Sequence, residues 1–311
     1  MGENIQQNLP REKPGHTYTP LEEVLEKEDK VICDLSIESD GEMDFYGRTI
    51  RPLSRFIDLQ SDAVLKQIGF LDFFLNVLRH SKTIVLSGVT LENRTMINLL
   101  KTKIDFLTIE EERASRNKSR KGTGGQHNLE SERELLKEVY RLFRELGAQT
   151  KGKHFVPQQQ VAYDFIERMV LSVASKTGAK IDTGKRYNPE REKNVRDFHT
   201  DEQIVATALC LSIFENKSVA ILTRDRDIKR ILFNTLSYVS YLGRKEYTEM
   251  MKSSARRGIK LYRTGRIGEA NLAYDIKEFN PSEKRKEISP KKIREIFSAT
   301  QPYNPFVQIS P

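Results

Sequence analysis

The sequence predicts an α/β fold in which a parallel central sheet is flanked by helices, with a helical insertion and a basic C-terminal extension. Three observations predict it. Short apolar runs ending in polar residues recur at 31–36, 83–87 and 218–223, as buried strands do. Stretches with apolar residues at helical spacing separate them. Basic charge gathers at the end of the chain: residues 228–311 hold 17 Lys and Arg against 8 Asp and Glu, so they carry +9 while the rest is near neutral at −1.

The elements follow in order. Residues 1–20 are polar, contain Pro10, Pro14 and Pro20, and read as a flexible N-terminal arm. KVICDLS at 30–36 reads as a short buried strand ending at Asp34. Residues 61–80 carry apolar side chains at 64, 65, 68, 71, 74, 75 and 78, which suits an amphipathic helix. TIVLS at 83–87 is a second strand, and LENRTMINLLKTK begins another helix. Residues 110–128 are almost devoid of apolar side chains and contain Gly122, Gly124 and Gly125, which predicts a mobile loop. Helices follow at 129–147 and 157–176, then a charged loop at 178–198. Thr200, with Gln203 three residues on, predicts a capping box that opens a helix over Ile204, Val205, Ala208 and Leu209. SVAILT at 218–223 is the third strand, IKRILF begins a helix, and SYVSYL at 237–242 reads as a fourth strand. The domain therefore spans 21–242, with an insertion at about 110–198, and 243–311 is the basic extension.

Composition narrows the function. The chain has 311 residues, 37% hydrophobic and 31% charged, enough for a core without covalent staples. Its two cysteines, Cys33 and Cys210, support neither a disulfide framework nor a four-thiolate zinc site. The first twenty residues lack the apolar core of a secretory signal, and no run reaches the ~20 apolar residues of a membrane span. A cytoplasmic protein with no membrane contact is expected. A net charge of +8 and a pI near 9.3 make a polyanionic partner plausible. Nothing in the sequence points to a protein partner.

The chemistry sits in acids at strand ends. Asp34 closes the first strand, and Asp225 and Asp227 follow the third. Ligands bind beyond the carboxyl ends of strands in open parallel sheets, so neighbouring strands would bring Asp34 and Asp225 together. The helix that begins at Thr200 returns the chain to the third strand, so its first turn, with Asp201, starts at that edge. Converging carboxylates repel one another, and a divalent cation compensates. All-oxygen donors favour Mg²⁺ or Mn²⁺, which can activate water and stabilise the transition state of phosphodiester cleavage.

The pattern resembles the PIN-domain nucleases. The resemblance rests on VICDLS at 31–36, HTDEQIVATAL at 199–209 and VAILTRDRDI at 219–228. TIVLSGVTLENRTM supplies Glu92 where the family carries a Glu after its second strand. Leu35 stands where compact members carry Thr, with Ser36 preserving a polar group next to it, and the Glu92–Asp201 spacing is longer than in compact members. The resemblance implies a PIN-like fold and metal-dependent endoribonucleolytic cleavage. Asp34, Glu92, Asp201 and Asp225 would ligate Mg²⁺ or Mn²⁺, with Asp227 auxiliary and with Ser36 and Thr223 orienting the site. RNA is the expected substrate, ahead of DNA. Arg256, Arg257, Lys260, Arg263 and Arg266, with Tyr262 among them, would hold a nucleic acid by phosphate pairing and base stacking.

Plainer readings stand beside these. Asp34 could cap a turn, Asp201 could serve only the helix dipole, and Asp225 and Asp227 could form a solvated turn with Arg224 and Arg226. His199 reads as an exposed loop histidine, Glu202 as a surface charge and Cys33 as a small core residue. GAKIDTGK at 178–185 departs from a phosphate loop in its glycine spacing and in Arg186. The alternative function is a catalytically inactive PIN-like module that binds nucleic acid. A haloacid-dehalogenase-type phosphatase fails because Lys229 stands where Thr or Val is needed.

Overall fold

Val31, Ile32 and Cys33 are fully buried, and together with Lys30 they form the inner strand β2 (Lys30–Cys33). The structure is a computed structural model that describes residues 18–34, 72, 75–116, 126–179, 199–223, 225–245, 258–266, 274–278 and 288–303. β2 lies between β3 (Thr83–Ile84) and β4 (Val219–Leu222), parallel to both. β4 pairs in parallel with β5 (Ile259–Arg266), which pairs antiparallel with β6 (Tyr274–Glu278). β6 in turn pairs with β1 (Tyr18–Pro20), giving a six-stranded sheet in the order β1-β6-β5-β4-β2-β3. Four adjacent strands are thus parallel and flanked by helices, as an α/β fold requires. No helix among the described residues is long and apolar enough to cross a membrane.

The helices are α1 (Leu21–Lys27), α2 (Ser87–Arg116), α3 (Gln126–Gln149), α4 (Gln160–Thr177), α5 (Thr200–Phe214), α6 (Arg226–Lys245) and α7 (Pro290–Thr300). α2 and α3 pack on each other, with the Asn93 amide donating to the Phe143 carbonyl at 3.3 Å and Arg133 paired with Glu111. α4, α5, α6 and α7 pack together beside the sheet. α5 is buried around nearly its whole circumference, which explains a sequence as apolar as IVATALCLSI.

Several expectations are corrected. SYVSYL is not a strand: Tyr238 and Val239 extend the buried stripe of Ile228, Ile231, Leu232 and Thr235, and no Gly or Pro interrupts it before Gly243, so α6 runs through. The fourth parallel strand is β5 instead. With β6 and α7, it builds much of the expected extension into the fold; Ile293 and Ile296 of α7 are core residues. Residues 110–116 are helical, because Glu110–Arg113 and Glu112–Arg116 pair along α2. Residues 18–20 of the expected arm form the edge strand β1. Of the helix expected at 61–80, residues 72 and 75–79 are helical. The rest of the arm, most of residues 61–74 and the segments 117–125 and 180–198 lie outside the described residues.

Candidate functional site

Thr223 joins the ends of the two central strands. β2 and β4 align Cys33 with Leu222, and the Asp34 N–H donates to the Leu222 carbonyl at 3.1 Å, which brings Asp34 beside Thr223. The Thr223 hydroxyl donates to Asp34 Oδ2 at 2.8 Å and accepts from the Asp225 N–H at 2.9 Å. Thr223 is 0% exposed and Asp34 5%. Asp34 is therefore a buried carboxylate held by a charge-assisted hydrogen bond. Burial, reinforced by the neighbouring Asp34 charge, pushes the Cys33 thiol well above its ordinary range. Cys33 is a protonated core residue, as expected, and not a soft metal ligand.

Asp225 has a second task. It precedes α6, and its Oδ1 accepts the Asp227 N–H at 2.7 Å, an N-cap interaction. Asp227 lies in the first turn, where a negative charge suits the helix dipole, with Arg230 3.9 Å from its carboxylate. Asp201 lies in the first turn of α5, which starts at the same sheet edge because α5 runs back to the beginning of β4. Glu92 falls in the second turn of α2, which leaves that edge after β3; only its backbone is described. Ser36 lies outside the described residues.

The fold thus carries Asp34, Thr223, Asp201, Asp225 and Asp227 to one edge. It does not gather them into a cage: among the described residues no three His, Cys, Asp or Glu side chains stand close enough to hold a metal ion. Packing accounts for this, since Asp34 is engaged by Thr223, Asp225 caps a helix and Asp227 faces Arg230. Thr223 meets Asp34 at its carboxylate and Asp225 at its backbone N–H, and these two acids could supply the one or two carboxylates that Mg²⁺ takes while it keeps water at its remaining positions.

Three other expectations change. Thr200 does not cap α5. His199 occupies the cap position in the left-handed region (φ 51°), its carbonyl accepts the Gln203 N–H, and the Gln203 side chain reaches Glu167 instead. Glu202 is not a surface charge but is buried, with the exposed His199 4.0 Å away. Two of the nucleic-acid contacts are occupied by the fold. Tyr262 is buried in the core, so its face is not offered to a base, and Lys260 donates at 2.7 Å to Glu28, which is 1% exposed. Arg263 and Arg266 lie on the part of β5 that runs past its pairing with β4, so they extend beyond the carboxylate edge. Arg256 and Arg257 lie outside the described residues.

A feature missed in the sequence is a cleft of about 250 Å³ lined by Leu86, Phe155, Tyr163, Glu167, Gln203 and their neighbours. The Gln203 amide donates to Glu167 at 3.0 Å, and the Phe155 and Tyr163 rings lie 5.6 Å apart at 50°. Burial pushes the Tyr163 phenol up to about 12. The stretch KHFVPQQQ at 153–160, which runs into the helix expected at 157–176, carried no sign of a cleft in the sequence.

Comparison of the chain with protein-family models, with curated proteins and with solved structures finds no match in any of the three.

Proposed function

We propose that the protein is a metal-dependent nuclease that hydrolyses phosphodiester bonds, with RNA as substrate, and that its core is PIN-like. The observation that carries this reading is the Asp34–Thr223–Asp225 hydrogen-bond chain at the carboxyl edge of a parallel sheet. A turn needs no buried carboxylate, and Thr223 keeps one oriented at the edge where such sheets bind ligands. Asp34 and Asp225 would hold Mg²⁺ or Mn²⁺, with Asp201 arriving on the first turn of α5, Glu92 on the second turn of α2 and Asp227 auxiliary. When bound, the ion supplies positive charge for the phosphate and lowers the pKa of a water. The chain's own work is to fix the Asp34 carboxylate through Thr223 and to bring the other acids to the same edge. Arg263 and Arg266, past the same edge, supply positive charge along the path of the phosphate backbone.

A second reading, a module that binds nucleic acid without cutting it, is favoured by the structural work both acids already perform: one anchors a threonine, the other caps a helix. One substitution separates the two. Asp225→Asn removes a charge but keeps an oxygen that caps as well as Asp does. Labelled single-stranded RNA and DNA are incubated with Mn²⁺, with Mg²⁺ and with chelator, and the ends are mapped. Cleavage of RNA that chelator abolishes and Asp225→Asn reduces at least ~100-fold supports the nuclease. Retention of RNA without cleavage under any metal, or an Asp225→Asn variant that cuts at the wild-type rate, overturns it.

A further inference from the structure

The cleft beside the carboxylate edge has no role in the chemistry above, yet its walls differ from those of a packing defect. Leu86 follows β3 by two residues, and Gln203 sits two residues after Asp201 in the first turn of α5. The cleft therefore adjoins the edge where a phosphodiester would lie. One wall is aromatic, formed by the inclined rings of Phe155 and Tyr163. The other is polar. The Gln203–Glu167 hydrogen bond uses one amide hydrogen and one carboxylate oxygen, and among the described residues the second of each makes no hydrogen bond. That leaves one donor and one acceptor side by side. Of the three exposed large hydrophobic residues among those described, Val156 (78%) and Val161 (67%) are sequence neighbours of the lining residues Phe155, Pro157 and Gln160.

We propose that this cleft is a subsite for one unpaired nucleobase of a single-stranded nucleic acid, stacked on Tyr163 and Phe155 and hydrogen-bonded at its edge by Gln203 and Glu167. The size decides against larger occupants: about 250 Å³ takes a single base but lies below the usual range for drug-sized ligands. Aromatic walls recognise the π-face that every base has, while a neighbouring donor and acceptor match the edge that only an unpaired base exposes. A duplex keeps that edge paired, so the subsite selects single strands. The idea rests on the nuclease reading for its orientation, because a base in the cleft would set the adjoining phosphate toward Asp34 and Asp225. Base binding itself needs neither metal nor cleavage.

The test is run on the full chain under chelator, so that no probe is cut. Fluorescence anisotropy compares a labelled ten-nucleotide RNA with the same backbone made entirely of abasic residues. The base-bearing strand is expected to bind at least about fivefold more tightly, the low end of what stacking one base contributes. Tyr163→Ala should remove that advantage while leaving the affinity for the abasic strand unchanged. Gln203→Ala, at a half-buried position outside the aromatic wall, should reduce it as well, and it serves if Tyr163→Ala does not fold. Equal affinity for the two strands, or an advantage that survives both substitutions, overturns the subsite. Cleavage with Mn²⁺ is scored separately. Base discrimination without cleavage defeats the nuclease reading alone, and cleavage without base discrimination defeats the subsite alone.

Discussion

Thr223→Val is the sharpest probe of the strand-end network. Valine has nearly the shape of threonine, so the packing around this fully buried position persists and only the hydroxyl is lost. Two hydrogen bonds go with it. The 2.8 Å bond to Asp34 involves a charged group, worth about 1.5–3 kcal/mol, and water has little access to a carboxylate that is 5% exposed. The 2.9 Å bond from the Asp225 N–H is neutral and only half-buried, worth about 0.5–1.5 kcal/mol. A buried methyl in place of the hydroxyl returns up to about 0.8 kcal/mol. The net loss is about 2–3 kcal/mol, and with a urea slope near 3 kcal/mol/M the unfolding midpoint falls by about 0.7–1 M. Thr223→Ser keeps the hydroxyl and loses one methyl, about 1 kcal/mol. Urea titrations followed by circular dichroism measure both. A midpoint shift below about 0.2 M for Val, or a serine variant as unstable as the valine one, would refute the claim that the hydroxyl holds Asp34.

Three further outcomes follow from the same geometry. Asp225→Ala should lose about 1 kcal/mol of stability while Asp225→Asn loses almost none, because only the alanine variant lacks the cap oxygen; thermal melts distinguish them. Lys260→Met should leave Glu28 buried without its cation and cost about 2–3 kcal/mol, below the usual range for a buried pair because Lys260 is partly solvated. The same variant should bind RNA as the wild type does in a filter-binding assay, and a loss of RNA affinity without a loss of stability would restore Lys260 to the nucleic-acid surface. Asp29 accepts hydrogen bonds from the Ser218 N–H and hydroxyl at the start of β4, and the backbone bond above all holds its carboxyl below the ordinary carboxylate range. Its folded pKa is depressed, so its contribution is present above the ordinary carboxylate range and is lost as pH falls through the folded value. Asp29→Asn should therefore flatten the acid limb of stability against pH, and a variant with the wild-type limb would show that Asp29 adds nothing to it.

The legible part of the fold was the part with one strong periodicity. VIC and VAIL are short and wholly apolar, ended by Asp34 and Thr223, and no helix fits so few residues before a polar stop. SYVSYL misled because local composition, two tyrosines and a valine among serines, favours a strand, whereas the stripe begun at Ile228 keeps helical spacing through Val239. Tertiary packing against α4 and α5 decided in favour of the helix. The misplaced fourth strand had one cause in addition: IKLYRTGR is basic enough to read as a binding surface. Its sequence shows no clear alternation, and only the structure shows Leu261 and Tyr262 entering the core beside β4.

The candidate site divides along similar lines. Topology alone sets which residues reach the carboxyl edge, so Asp34, Asp201 and Asp225 could be brought there from strand order without any knowledge of side chains. What each carboxylate does on arrival depends on short-range competition that spacing does not encode. The amides of a helix N-terminus are unsatisfied donors and take the nearest acid, which for α6 is Asp225; a buried threonine donates to the nearest acceptor, which is Asp34. These are the bonds that hold the edge together, and each engages an oxygen of its acid. Carboxylates engaged in this way form no dry protein cage among the described residues, and under the proposed reading they would hold a cation that keeps most of its water. The same economy explains why the edge tolerates its negative charge: each acid has a donor on the chain before any ion arrives, so the fold does not depend on the metal. If the proposed nuclease activity is present, the protein should stay folded in chelator and lose only cleavage.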